Sequence, residues 1–75
     1  MARILFFGIT RDIAGMSEMH SSASDLEYLL NSLKQQFPQL DKVRFRVAVN
    51  NALRSDNAML GDNDTVALLP PFAGG

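Results

Sequence analysis

The strongest constraint in this chain is that it holds one good amphipathic helix and little else that is helical. Leu26, Leu29, Leu30, Leu33 and Phe37 recur at i, i+3, i+4, i+7 and i+11, which makes a single apolar stripe. Ser24 and Glu27 stand at the S-x-x-E spacing of a capping box, so a helix is predicted from about Asp25 to Gln36. Pro38 lacks an N–H and prevents continuation. A helix with one apolar stripe must bury it against another layer. The other apolar segments are short, so that layer is a sheet.

Arg3 to Phe7 is an apolar run ending at Gly8 and reads as a first strand. With a side-chain period of two, Ile4 and Phe6 face one way and Leu5 and Phe7 the other. Thr10 to Gly15 has room for one helical turn, and Met16 to His20 is read as a poorly alternating second strand. Arg44 to Val49 places Phe45, Val47 and Val49 on one face. Asn50-Asn51 tolerates positive φ and predicts a tight hairpin turn into a brief strand, Ala52 to Arg54. Gly61 to Asp64 is a turn, and Thr65 to Leu69 is the last strand. The most apolar strands are the first and last, which suits parallel central neighbours joined by a long crossover. The expected fold class is therefore α+β: a β-grasp, or ubiquitin-like, mixed sheet packed on one main helix.

A 75-residue chain is one small domain, close to the lower limit at which a core alone sustains folding. It contains no cysteine, which excludes disulfides and thiolate metal sites. A net charge of −1 gives no pull toward nucleic acid or anionic membrane, and neither is expected as a partner. The cluster Lys42, Arg44, Arg46 and the stretch Asp56, Asp62, Asp64 are read as solvated faces. No apolar run approaches a membrane span, and the start lacks a signal-peptide pattern, so a cytoplasmic protein is expected. His20 is the only histidine and has no second ligand or nucleophile at a recognisable spacing, so no metal site is expected. The four methionines are read as gap-fillers in a small core.

The chain ends Leu68-Leu69-Pro70-Pro71-Phe72-Ala73-Gly74-Gly75. Pro70 and Pro71 fix φ, remove two donors and stop the strand. Gly74 and Gly75 add nothing to a core but present a bare α-carboxylate on backbone without side chains. The domain organisation is accordingly a folded body over residues 1–71 and a flexible Gly-Gly tail over residues 72–75. Six residues from Pro70 reach at most ~20 Å when extended. Phe7, Leu53 and Leu69 are the next candidates: by alternation Phe7 and Leu69 lie on the sheet face away from the helix, and an exposed apolar patch of that kind marks a partner site.

The strand and helix order, the length and the Pro-Pro-x-x-Gly-Gly ending resemble the small, sulfur-carrying subunit of molybdopterin synthase. Leu5-Phe6-Phe7-Gly8 with Arg11-Asp12 and Gly15, Val47-Ala48-Val49-Asn50-Asn51, and Gly61-Asp62-Asn63-Asp64 fit the same family. Phe72 stands where the family more often has a smaller aliphatic residue. The resemblance implies a sulfur carrier, not a catalyst acting alone. An adenylyltransferase related to ubiquitin-activating enzymes would use ATP to adenylate the Gly75 carboxylate, and a sulfur donor would then leave a thiocarboxylate. The chain itself would bind no cofactor. Phe72, Ala73 and Gly74 would thread into the synthase large subunit, with Phe7, Leu53, Leu69, Pro70, Pro71 and Arg11 at the interface. A thiamine-pathway or tRNA-thiolation carrier, a ubiquitin-like modifier conjugated to lysines, and a plain interaction domain are the alternatives.

Overall fold

The apolar stripe of the predicted helix meets a five-stranded sheet. The structure is a computed structural model that describes residues 1–71; Phe72, Ala73, Gly74 and Gly75 lie outside the described residues. Its strands are β1 (Ala2–Phe6), β2 (Glu18–Ser21), β3 (Arg46–Val49), β4 (Ala52–Arg54) and β5 (Thr65–Leu69). Their order is β2-β1-β5-β3-β4. β1 and β5 pair in parallel at the centre, and the other neighbours are antiparallel. The main helix, α2 (Leu26–Gln36), lies between β2 and β3 in the chain, and a short helix, α1 (Ile9–Ala14), follows β1. This is the mixed-sheet β-grasp arrangement expected from the sequence.

Period two decides what α2 covers. Ile4, Phe6, Val66 and Leu68, from the two central strands, pack with Leu26, Leu29 and Leu33 of α2 in one buried cluster. Val47 and Val49 extend that cluster across β3. Phe6 and Phe37 meet edge to face, with ring centroids 6.1 Å apart and planes at 81°, which ties the end of α2 to β1. Pro38 ends α2 as expected, but it also opens a 3₁₀ helix, Pro38–Lys42, that buries Leu40 under the core. Periodicity could not show this, because a five-residue 3₁₀ segment has too few turns to display a period.

Two local expectations need correction. The N-cap of α2 is Asp25, not Ser24: the Asp25 carboxylate accepts from the Tyr28 N–H at 2.7 Å. Glu27 does not reach back as a box partner; its own N–H donates to Asn57 Oδ1 at 2.8 Å. The loop after β4 closes over the start of α2, with the Leu26 N–H on the Ala58 carbonyl and the Leu60 N–H on that of Ser24. A short polar side chain one residue later serves the same orphan donors. The methionines do not fill the core as a group: Met19 packs against it, but Met1, Met16 and Met59 are exposed, Met59 by 79%.

The hairpin between β3 and β4 turns on Asn50 and Asn51, with φ of 52° and 71°. Positive φ at both central residues is the turn whose twist matches its strands. The acidic stretch faces solvent as read, and at its C-terminal end Asp64 also holds the turn together. Asp64 accepts from the Gly61 N–H at 2.7 Å and from Asn50 Nδ2 at 2.9 Å, and Asn50 Oδ1 accepts from the Thr65 N–H at 2.9 Å. One asparagine thus makes its own turn and aligns the entry to β5.

Candidate functional site

The sheet face away from α2 is built from the alternate residues of the same strands. Leu5, Ala67, Ala48 and Leu53 lie in register across β1, β5, β3 and β4. Leu69 pairs with Arg46 in the next row, and Phe7, directly after β1, donates its N–H to the Leu68 carbonyl at 3.1 Å. Together Leu5, Phe7, Ala48, Leu53, Ala67 and Leu69 line one shallow apolar groove. Alanines form its floor and larger side chains its rim, so it is a dish with space for an apolar knob. Phe7 is 43% and Leu53 54% exposed, while Ile4 and Leu68 on the other face are fully buried. The structure therefore places Phe7 and Leu69 on the face that alternation predicts and brings Leu53 to the same groove.

The tail root sits at the edge of this dish. Pro70 and Pro71, both half-buried, follow β5 directly. Gly8, with φ of 59° and ψ of −131°, occupies a backbone region open essentially to glycine alone. A Cβ there would lie 2.7 Å from Pro70 Cγ, so the missing side chain is what lets Pro70 settle against the end of β1. Thr10 is the one fully buried polar residue among those described. Its Oγ1 accepts from the Phe7 N–H at 3.1 Å and lies 2.7 Å from the Phe7 carbonyl and 3.1 Å from the Leu68 carbonyl, sharing its single proton with them. Thr10 and Gly8 thus fix Phe7 and the exit direction of the chain. From sequence Thr10 is only the start of a helical turn, because a hydroxyl four residues past a strand end is a spacing shared with ordinary turns.

Arg11 is exposed on α1, away from the floor of the dish. His20 is also exposed, 3.8 Å from Glu18 on the outer strand β2. Gly75, Gly74, Ala73 and Phe72, the residues expected to carry the chemistry, lie outside the described residues. Among the described residues no group of three His, Cys, Asp or Glu is placed to hold a metal, and no helix is long and apolar enough to cross a membrane. The perturbed carboxyls are at the far end of β5. The N-terminal ammonium, 2.6 Å from Asp62, and the Asn50 and Gly61 donors on Asp64 hold both groups below the usual carboxylate range. They lie at the start of the strand, not at the end from which the tail leaves.

The molybdopterin synthase sulfur carrier subunit of Arabidopsis thaliana is 31% identical over 78 residues, spanning 97% of this chain and 81% of that one. The complex of subunits 1 and 2 of molybdopterin-converting factor from Helicobacter pylori 26695 contains a chain similar at 30% identity and TM-score 0.74, covering 99% of this chain and 97% of that one. The small archaeal modifier protein 1 of Methanosarcina acetivorans shares the fold with TM-score 0.82 at 23% identity, over 99% and 95% of the two chains. The ThiS family matches residues 4–75, which take in all but the first two residues of the sheet, the dish, the tail root and the terminal glycines. By that match and that identity, the chain belongs to the ThiS family of small β-grasp proteins.

Proposed function

We propose that this protein is the sulfur carrier of molybdopterin synthase and that its folded body serves to deliver the Gly75 carboxylate. The observation that carries this reading is the open apolar dish at the root of a Gly-Gly tail, in a chain 31% identical to a molybdopterin synthase sulfur carrier subunit. A carboxylate is a poor electrophile, so activation comes first. An adenylyltransferase would join the Gly75 carboxylate oxygen to the α-phosphate of ATP and release pyrophosphate. A sulfur donor would then displace AMP and leave the thiocarboxylate. The chain owns no thiol, so the sulfur it carries would be held as acyl sulfur at its terminus. Docked on the synthase large subunit through Phe7, Leu53, Leu69, Pro70 and Pro71, with Arg11 nearby, it would pass Phe72, Ala73 and Gly74 into that subunit's active site. Two charged carriers, in a heterotetramer with two large subunits, would supply the two sulfurs that turn cyclic pyranopterin monophosphate into the dithiolene of molybdopterin. On this reading the protein is not a catalyst alone, binds no cofactor itself and works in the cytoplasm.

The test is reconstitution with activating enzyme, ATP, sulfur donor, large subunit and pterin substrate. Intact mass spectrometry should show the gain of one sulfur for one oxygen at the C-terminus, and molybdopterin should form. Loss of Gly74-Gly75 should abolish both. Isopeptide-linked Gly75 remnants on other proteins, without pterin conversion, would instead establish a modifier.

A further inference from the structure

Beside the dish lies a second groove, bounded by the Leu30–Lys34 stretch of α2, the 43–46 segment, β4 and Pro71. Four cationic side chains line it: Lys34, Arg44, Arg46 and Arg54. Two are already balanced, Lys34 by Asp41 at 3.5 Å and Arg54 by Asp56 at 3.3 Å. Arg44 and Arg46 are exposed and take no part in the ion pairs among the described residues. In a chain of net charge −1, this is a local positive excess.

Its position matters more than its sign. Arg46 lies opposite Leu69, the last residue of β5, and borders both the dish and the basic groove. Pro71, the last described residue, also lines the basic groove. A protein that receives the tail and covers the dish therefore also covers Arg46. A guanidinium cannot shed its proton at any ordinary pH. Covering it without an acceptor would leave a desolvated, unpaired charge, which opposes binding strongly. We infer that Arg46, with Arg44 beside it, is a recognition site for carboxylate side chains on the protein that receives the tail, an acidic strip set against the arginine rim where the chain leaves the fold. The inference rests on the proposed docking of the dish. It adds the charge that this partner surface must carry. The apolar dish gives area, and the arginine rim gives orientation and encounter rate.

Association with the large synthase subunit of the same organism, followed by stopped-flow at low and high salt, tests this. Arg46→Glu, alone and with Arg44→Glu, should slow association by about tenfold or more at low salt, and the difference should shrink in concentrated salt. Arg46→Gln should show a smaller loss. Both positions are exposed, so circular dichroism should show each variant folded. The decisive measurement places an amine at the rim. Arg46→Lys should become joined to an Asp or Glu of the bound subunit by a zero-length carbodiimide cross-linker, with the peptide identified by mass spectrometry. Unchanged rates at both salt concentrations, or a cross-link only to the carrier's own C-terminal carboxylate, would overturn the inference. So would loss of binding to a single-stranded oligonucleotide with partner binding unaffected, since the rim would then be a nucleic-acid site. If wild-type protein does not bind the subunit while being folded, the proposed function fails instead.

Discussion

The two faces of the sheet are made by the same strands, and their residues differ only in parity. In β5, Val66 and Leu68 are fully buried, whereas Ala67 and Leu69 are partly open. In β1 the same division separates Ile4 and Phe6 from Leu5. Both faces are apolar, so hydrophobicity does not distinguish them; one helix does. A chain of this length has a single stripe to offer, and the face that receives it becomes core. The other is left as an apolar surface that stability does not require. Apolar residues retained where the fold does not bury them are evidence of a partner.

The comparison breaks most visibly on the covered side. Leu68→Ala should destabilise by about 3 kcal/mol, because the site is fully enclosed and cannot collapse around the void. For a domain of this size, with a total of about 4–11 kcal/mol, that is a large share, and urea denaturation should show it. One residue away in space, the open side should behave oppositely. Phe7→Asp should change folding stability by no more than about 1 kcal/mol, yet weaken large-subunit binding by about 2 kcal/mol or more in calorimetry. If Phe7→Asp unfolds the chain, or binds normally, the two faces are not separate in role.

The boundary between the faces is tested at Gly8. Gly8→Ala should cost about 1–2 kcal/mol, from positive φ and from the 2.7 Å approach to Pro70. It should also slow sulfur transfer more than Ala substitutions on α1, because it displaces the root of the tail. The smallest effect belongs to Asp64, at the opposite end of β5. Its carboxyl titrates below its unfolded value, near 3.9, so it contributes stability above that pH and loses it as pH falls through the folded value. Asp64→Asn should lower the melting temperature slightly at neutral pH, and the gap from wild type should close in acid.

Much of this is legible in the amino-acid sequence. The stripe from Leu26 to Phe37, the turn at Asn50-Asn51 and the parity of β1 and β5 led directly to helix, hairpin and faces, since each is a repeated local pattern. What escaped was non-local. Asn57 and Ala58 serve the start of α2 from thirty-odd positions away, and no spacing rule links them to it. Thr10 binds Leu68 across 58 residues of sequence. Arg46 reads as one member of a solvated basic cluster until the register places it opposite Leu69. Composition describes side chains; only pairing says which of them are neighbours.

The parallel pairing of β1 and β5 has a mechanical consequence. Arg3, Ile4, Leu5 and Phe6 pair with Thr65, Val66, Ala67 and Leu68, and both strands run the same way. Tension between the start of β1 and the end of β5 therefore pulls these strands past each other and loads their cross-strand bonds together, not one at a time as in an unzipping hairpin. A pull applied between the start of β1 and the end of β5 therefore acts along a resistant direction of the sheet. In single-molecule pulling between these two ends the domain should accordingly stay folded to higher force than when it is pulled across the β3–β4 hairpin.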